Sequence, residues 1–162
     1  MRVARDGNVT TWHGAPFPLG LRHAKAAAMH APVQALIVAA GRGFRAGAGG
    51  PKQYRALGSQ TVLRHAVEAL RHHPRIGAVR VVIHPDDAEA YAAAVAGLDL
   101  PPPVHGGATR QASVLAGLEA ISADGGAKLV LIHDAARPFV PQAMVDRILA
   151  ALATCPGATP AL

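Results

Sequence analysis

The stretch LIVAAGRGFRAGAGGPKQY, from Leu36 to Tyr54, joins an apolar run to a glycine-rich segment. The run itself, Val33 to Ala40, is short and ends at a glycine, which is typical of a strand buried on both faces. The glycines that follow allow positive φ angles and bring backbone N–H groups close to a bulky anion. Arg45 and Lys52 add positive charge. The stretch therefore predicts a strand followed by a phosphate-binding loop, and a triphosphate fits that loop.

The rest of the chain repeats the alternation of strand and helix. Further apolar runs at 78–84 and 128–133 predict strands, while helical spacing of apolar residues covers 62–70, 114–121 and 144–152. Residues 86–97 form an alanine-rich helix candidate that Asp86 or Asp87 begins. This alternation predicts an α/β fold, a Rossmann-like and mainly parallel sheet with helices on both faces. Because ligands of such sheets bind at the carboxyl ends of the strands, we expect residues 41–52, 105–113 and 134–137 to meet at one edge.

Composition and charge narrow the class of protein. A chain of 162 residues that is 51% hydrophobic and 16% charged has room for one sizeable core. No apolar run approaches the roughly 20 residues of a membrane span, and the single Cys155 rules out an intramolecular disulfide. These features predict a soluble, cytoplasmic protein. The net charge of +6 is spread along the chain without a basic cluster, which favours a small anionic ligand over nucleic acid.

The first 30 residues differ from the remainder. They have no hydrophobic periodicity, and Met29 stands just before the first strand pattern. They also lack the apolar region of a secretory signal, and the absence of serine argues against a transit peptide. We therefore expect residues 1–30 to be a disordered leader or an upstream start, and residues 31–162 to form the folded domain.

Two known phosphate-binding motifs fit the glycine-rich segment poorly. Gly41-x-Gly43-x-x-Ala46 matches the dinucleotide fingerprint, but the acidic residue expected about 20 positions later falls in a helical segment that holds Glu68. The P-loop pattern fails because Pro51 precedes Lys52 and Gln53 takes the place of the magnesium-binding Ser or Thr. A solvated loop with incidental basic residues stays open for this segment taken alone.

Three segments taken together are more specific. AAGRGFRAGAGGPKQY, GGATRQASVLAGL and VLIHDAARPF, in this order, resemble the signature segments of the 2-C-methyl-D-erythritol 4-phosphate cytidylyltransferases of non-mevalonate isoprenoid synthesis. The resemblance runs from about Val33 to the end of the chain. GGATRQ and PKQYRALG are most similar to bifunctional proteins in which a cyclodiphosphate synthase is fused to this domain. The resemblance implies a fold of the nucleotide-diphospho-sugar transferase type.

The resemblance also implies roles for individual residues. Arg45 and Lys52 are the catalytic pair that stabilises the transition state at the α-phosphate of CTP. The segment with Arg110 and Ser113 recognises cytosine and ribose, while Asp134 lies near the ribose and binds Mg²⁺. The complete set implied to bind CTP is Ala39, Ala40, Gly41, Gly43, Gly106, Gly107, Arg110, Ser113, Asp134 and Ala135.

The chemistry implied by the resemblance asks for the same residue types. Attack of a polyol phosphate on the α-phosphate of CTP builds negative charge on non-bridging oxygens and expels pyrophosphate, so fixed cations and hydrogen-bond donors are needed rather than a protein nucleophile. Local alternatives stay open: Asp134 as a cap of the following turn, Arg110 as a surface arginine, and Ser113 as a solvent-facing side chain. We expect His133 to be a packed residue at a strand end.

The chain departs from the family in two respects. Ala108 and Thr109 replace acidic residues of the usual GGDE-like segment, and the sequence stops at Leu162, where GATPAL has the pattern of a new strand. In the family, the portion beyond carries the arm that builds a homodimer and residues that hold the erythritol phosphate. We therefore expect a C-terminally truncated domain without that arm. Alternatives are a non-catalytic fragment that binds CTP, and a ribitol-phosphate or other sugar-phosphate nucleotidyltransferase.

Overall fold

The structure is a computed structural model that describes residues 2–6, 9–13, 33–42 and 50–160, with the backbone alone for 2–6 and 9–13. The chain divides into two compact units, residues 30–140 and residues 1–29 with 141–162. The strands are β1 (Arg2–Asp6), β2 (Val9–His13), β3 (Val33–Ala39), β4 (Ala56–Leu57), β5 (Gln60–Thr61), β6 (Ile76–Ile83), β7 (Val104–His105), β8 (Val130–Asp134) and β9 (Gly157–Pro160). The helices are α1 (Val62–Arg71), α2 (Ala88–Ala94), α3 (Arg110–Ala123) and α4 (Gln142–Ala151).

The unit of residues 30–140 is built on a parallel sheet with the strand order β7-β6-β3-β8. Ala35, Leu36 and Ile37 of the central strand β3 are fully buried, as the apolar run predicts for a strand with neighbours on both sides. The chain runs from β3 outward to β6 and β7 and then returns to β8, on the other side of β3. The strand order thus reverses at β3, which is where ligands of such sheets bind. The predicted α/β fold with a mainly parallel sheet is confirmed.

Helices α1 and α3 cover this sheet by packing against β3 and β6. The buried residues of α1, Leu63, Ala66, Val67 and Leu70, follow the predicted helical spacing. Helix α3 lies very close to the sheet at Gly117, where an added Cβ would come within 2.8 Å of Leu36 and Val82. Right-handed crossovers that run in opposite directions along the sheet put α1 and α3 on opposite faces. Among the described residues, every helix is too short or too polar to span a bilayer.

The segment after β6 differs in detail from its prediction. A 3-10 turn, Pro85–Asp87, precedes α2. His84 caps this turn, because its Nδ1 accepts a hydrogen bond from the N–H of Asp86 at 3.2 Å. Asp87 makes no capping hydrogen bond. Its carboxylate instead contacts Arg42, which is 45 positions away along the chain. The predicted helix start at Asp86 or Asp87 is confirmed, since Asp87 is the N-cap residue of α2, although its side chain bonds to Arg42 and not to the helix.

The second unit contains an antiparallel sheet of order β1-β2-β9. Asp6 pairs with Val9 and Arg2 with His13, while Val9 also pairs with Pro160. Helix α4 contacts β2 and β9 and buries Val145 and Leu149. The strand expected in GATPAL is therefore present as β9.

Strands β1 and β2 differ from the expectation of a disordered leader. Two residues, Gly7 and Asn8, separate the paired Asp6 and Val9, and such a Gly-Asn pair between two strands is typical of a β-hairpin. This signal is local and does not depend on hydrophobic periodicity, which is why a search for periodicity missed it. Residues 14–32 lie outside the described residues, so the boundary at residue 30 stays a prediction.

Candidate functional site

A cavity of about 670 Å³ opens at the carboxyl edge of the parallel sheet, within the unit of residues 30–140. The three predicted segments meet there, since residues that follow β3, precede and begin α3, and follow β8 all contribute. The lining residues are Val38, Ala39, Ala40, Gly41, Arg42, Lys52, Gln53, His84, Pro85, Gly106, Gly107, Ala108, Thr109, Arg110, Ser113, Asp134, Ala135, Ala136 and Arg137. The predicted convergence of these segments is confirmed.

The turn after β3 is held by Gln53, for which the sequence predicted no role. Gln53 is 5% exposed, and its Nε2 donates to the carbonyl oxygens of Ala39 at 2.6 Å and Gly41 at 3.1 Å. Gln53 belongs to the 3-10 turn Lys52–Tyr54. It thereby fixes the turn that carries Lys52 against the end of β3. The sequence signal that could have pointed to Gln53 is its position directly after Lys52, because adjacent residues share a turn.

Small residues keep the cavity open at the end of β3. Ala39 is buried, whereas a Cβ added at Gly41 would meet none of the described residues within 4 Å. The backbone of Gly41 is outside the left-handed region, so glycine is not required here by conformation. A glycine that is needed neither for packing nor for conformation leaves room for a ligand close to the backbone.

The loop before α3 is packed against the same turn. A Cβ at Gly106 would lie 2.6 Å from Ala40 Cβ and 2.6 Å from Ser113 Oγ, and one at Gly107 would lie 2.6 Å from Ala112 Cβ. At both positions glycine fits without displacing its neighbours, because any side chain would begin with the Cβ that collides. The N–H of Gly106 also donates to Ile83 O at 2.8 Å, which ties the loop to the end of β6.

Ser113 holds this loop from within. It is 1% exposed, so the alternative that it faces solvent is wrong. Its hydroxyl donates to Thr109 O at 2.9 Å and accepts from the N–H of Gly107 at 3.2 Å. Helix α3 begins beside it with Thr109 as N-cap, whose Oγ1 accepts from Ala112 N at 3.1 Å. Thr109 thus closes the helix start in place of the family's acidic residue, and the helix N-terminus favours an anion in the cavity.

Asp134 lies at the end of β8 between two arginines. Its Oδ1 accepts from Arg110 Nε at 3.1 Å and from Arg110 Nη2 at 2.9 Å, while its Oδ2 is 3.7 Å from Arg137 Nε. The side chain of Arg110 is 60% exposed, but this contact directs it toward the cavity. Ala135 is buried and donates its N–H to Val38 O at 3.1 Å. Asp134 is therefore held by arginines and not by a local cap.

The catalytic pair implied by the resemblance is described in part. Lys52 is exposed at the cavity, and its ammonium has no acidic partner within the described ranges. Arg45 and Gly43 lie outside the described residues, so their roles stay predictions. Arg42, which the sequence did not single out, is a further basic residue at the cavity.

His133 is half-buried at the end of β8, which agrees with the expectation of a packed residue at a strand end. Burial is the largest effect on its imidazole and lowers the pKa, although the hydrogen bond to Arg137 O and the Asp134 carboxylate act in the opposite direction. The distance from His133 Nε2 to Arg137 O is 2.8 Å, so the neutral ring protonated at Nε2 donates to this carbonyl. His133 therefore supports the turn that presents Asp134 and Arg137.

The side chains that line the cavity have the character of an anion site with one carboxylate. The basic lining residues are Arg42, Lys52, Arg110 and Arg137, and the acidic one is Asp134. The described part of the chain has no cluster of three or more His, Cys, Asp or Glu residues that would hold a metal by itself. One carboxylate does fit Mg²⁺, which keeps several waters and binds mainly through substrate phosphates. The cavity is thus suited to an anion that carries its own metal ion.

Comparisons with known proteins agree with the three-segment resemblance. The sequence matches the family described as "2-C-methyl-D-erythritol 4-phosphate cytidylyltransferase" over residues 33–162. It is 58% identical over 130 residues to a "Bifunctional enzyme IspD/IspF" of Rhizorhabdus wittichii, a match that covers 80% of this chain and 33% of that protein. A protein of the same name from Bradyrhizobium diazoefficiens is 56% identical over 125 residues. The chain spans about a third of the length of these curated relatives.

Solved structures show the same fold. The 4-diphosphocytidyl-2C-methyl-D-erythritol synthase of Anaerococcus prevotii superimposes with a TM-score of 0.64 and 27% sequence identity, covering 76% of this chain and 52% of that one. A second crystal structure of 4-diphosphocytidyl-2C-methyl-D-erythritol synthase gives a TM-score of 0.65 with 30% identity, covering 78% and 56%. The likeness extends over most of this chain and about half of each of those proteins.

Proposed function

Since the chain belongs to the 2-C-methyl-D-erythritol 4-phosphate cytidylyltransferase family over residues 33–162, we propose that it binds CTP and transfers CMP to 2-C-methyl-D-erythritol 4-phosphate. The products are 4-diphosphocytidyl-2-C-methyl-D-erythritol and pyrophosphate. The observation that carries this proposal is the basic cavity in which described residues of all three signature segments meet. The match covers only about a third of the curated relatives, so the activity of the whole protein is part of the proposal.

The lining divides into parts that suit different portions of CTP. The cramped loop at Gly106 and Gly107, fixed by Ser113, suits the planar base and the ribose. The open backbone at Gly41 and the ammonium of Lys52 suit the triphosphate, together with Arg45. In this arrangement Ser113 acts by shaping the loop, because its hydroxyl is already bonded to Gly107 and Thr109.

The chemical step requires charge stabilisation more than covalent participation. A phosphate oxygen of the acceptor bonds to the α-phosphorus of CTP, and the bond from that phosphorus to the bridging oxygen of the β-phosphate breaks, so pyrophosphate leaves with the electron pair. Negative charge grows on the α-phosphate oxygens. Lys52 and Arg45 would stabilise this charge, and the rigid turn held by Gln53 fixes Lys52 without a cost of reorganisation during the reaction.

Asp134 would hold Mg²⁺ that arrives with the triphosphate. When bound, the ion supplies neutralisation of phosphate charge. Arg110 contacts the same carboxylate, so it has to share or release Asp134 Oδ1 when the ion binds. A released Arg110 would be available to the anionic ligand. A homodimer, a cytoplasmic location and the absence of a nucleic-acid partner stay predictions of the sequence.

Calorimetry with CTP and Mg²⁺ tests this proposal. We expect the chain to bind CTP in preference to UTP, ATP and GTP, and Lys52→Ala to weaken binding at least tenfold, because a charge-assisted contact to phosphate is lost. Combination with Arg45→Ala is expected to weaken binding further. Lys128→Ala, which removes an exposed lysine outside the cavity, is the matched control.

The outcomes separate the alternatives. A folded wild-type chain that does not bind CTP would overturn the proposal. Binding of CTP without turnover when 2-C-methyl-D-erythritol 4-phosphate is added would favour the non-catalytic CTP-binding fragment. Turnover with ribitol phosphate in its place would identify a different acceptor for the same nucleotide site.

A further inference from the structure

His84 leaves the parallel sheet between two segments of the cavity. It directly follows β6, whose last residue, Ile83, pairs with Ala39 of β3 on one side and with His105 of β7 on the other. The carbonyl oxygen of Ile83 also accepts from the N–H of Gly106 at 2.8 Å. His84 is one of the residues that line the cavity. It therefore stands beside the loop that, under the proposed function, suits the base of CTP.

The turn after β6 occupies one ring nitrogen of His84. Nδ1 accepts from the N–H of Asp86 at 3.2 Å and lies 3.4 Å from Arg42 Nη1. Asp86 Oδ2 is 3.5 Å from the same nitrogen, but this oxygen forms an ion pair with Arg42 Nη2 at 3.4 Å. A backbone N–H cannot rotate away from its acceptor, so Nδ1 keeps its lone pair for Asp86. The proton of the neutral imidazole is therefore at Nε2.

The second ring nitrogen is a donor that the protein orients but does not use. Nε2 makes no hydrogen bond to the residues that the structure describes, and the side chain is 31% exposed. Because Nδ1 is fixed by the turn, the imidazole cannot exchange its two nitrogens without losing that bond. Water satisfies such a donor in the free protein, and a ligand with an acceptor at this point takes the place of the water.

The base of a pyrimidine nucleotide offers acceptors to such a donor. Cytosine has a lone pair at N3, where uracil has an N–H group, and both bases have a carbonyl oxygen at C2. An N–H donor directed at N3 therefore forms a hydrogen bond with cytosine but faces a second donor in uracil. The donor left unpaired by uracil penalises the wrong base.

We propose that His84 is a specificity-determining residue for cytosine, which donates its Nε2–H to N3 of the base while the turn holds the ring through Nδ1. This inference deepens the proposed function and rests on it, because it needs CTP in the cavity. Arg42 and Asp86 lie at the other nitrogen and act on the base only through the ring. The position beside Gly106 and the tautomer set by Asp86 are the two observations that carry the inference.

A change in the protein combined with a change in the nucleotide tests this contact. His84→Asn keeps an oxygen that can accept from the N–H of Asp86, as asparagine does at helix starts, but lacks Nε2. A CTP analogue with a C–H group in place of N3 lacks the acceptor. With Mg²⁺ present, we expect wild type to bind the analogue about tenfold more weakly than CTP. His84→Asn should bind the two with affinities within twofold of each other, because both changes remove one contact. The preference of the same variant for CTP over UTP should fall at least fivefold.

His105→Asn is the matched control, since His105 is exposed and does not line the cavity, and it should discriminate as wild type does. A wild type that binds CTP and the analogue equally well would overturn the inference and leave the proposed function in place, even if His84→Asn does not fold. If His84→Asn still discriminates tenfold, another group reads N3, and a parallel loss of both affinities would then indicate a merely structural role; either result overturns the inference. A folded wild-type chain that binds neither nucleotide would overturn the proposed function, and the inference with it.

Discussion

Two glycines of the cavity show how differently a single residue can serve the same site. A Cβ at Gly106 would collide with Ala40 and Ser113 at 2.6 Å, whereas one at Gly41 would meet no atom of the described part of the chain within 4 Å. Gly106 is thus required by packing within the protein. Gly41 is not required by packing among the described residues, which agrees with the proposal that a ligand lies close to its backbone.

Alanine substitutions at these two positions should therefore separate stability from binding. We expect Gly106→Ala to lower the free energy of unfolding by about 1–3 kcal/mol through overpacking. Gly41→Ala should change it by less than about 0.5 kcal/mol but weaken CTP binding at least tenfold, because the new methyl group occupies space that the triphosphate needs. Chemical denaturation and calorimetry on both variants check this. Equal CTP affinity of Gly41→Ala and wild type would contradict the placement of the triphosphate.

At the level of elements, the site depends on contacts between segments that are not neighbours in sequence. The turn after β3 is tied to the turn Lys52–Tyr54 by Gln53, and the loop before α3 is tied to β6 by Gly106. These ties fix backbone carbonyls and N–H groups, which have the same chemistry at every residue. Sequence patterns predict the elements themselves but carry little information about such ties.

Gln53 provides the test at this scale. Gln53→Met keeps the length of the side chain but removes the donor to Ala39 O and Gly41 O, and we expect a loss of about 1–3 kcal/mol of stability together with weaker CTP binding. Gln60→Met is the control, because Gln60 Nε2 makes one long contact, 3.5 Å from Glu68 Oε1. A Gln53 variant that is as stable and binds as tightly as the Gln60 variant would show that the tie between the two turns is unimportant.

For the molecule as a whole, the parallel sheet could be predicted because its strands are continuous apolar runs with glycine or a charged residue at the end. The place of the cavity then followed from the rule for such sheets, and Asp134 and Lys52 were found by it. The hairpin of β1 and β2 was missed because it lacks hydrophobic periodicity. The contact between Asp87 and Arg42 was not predicted, because Arg42 is 45 positions away along the chain. Predictions thus failed where a polar contact between distant segments, or a turn, determines the structure.

His133 makes a pH-dependent contribution to the stability of the protein. Burial lowers its pKa below the ordinary value of 6.5, so the native state binds fewer protons than the unfolded state once the pH falls below about 6.5. The free energy of unfolding of the wild type should then fall as the pH decreases, with a slope of up to about 1.4 kcal/mol per pH unit, the value for one bound proton. His133→Gln should not show this loss. At pH 8 the variant should be less stable than wild type by about 1 kcal/mol, since the bond to Arg137 O is weakened. We expect that difference to shrink as the pH is lowered to 5.5, as measured by urea unfolding at several pH values.

The other histidines are common to both proteins and cancel in the comparison, and His72→Gln at an exposed position controls for the loss of an imidazole. A difference that stays constant with pH would mean that His133 is not kept neutral by burial at this edge of the sheet.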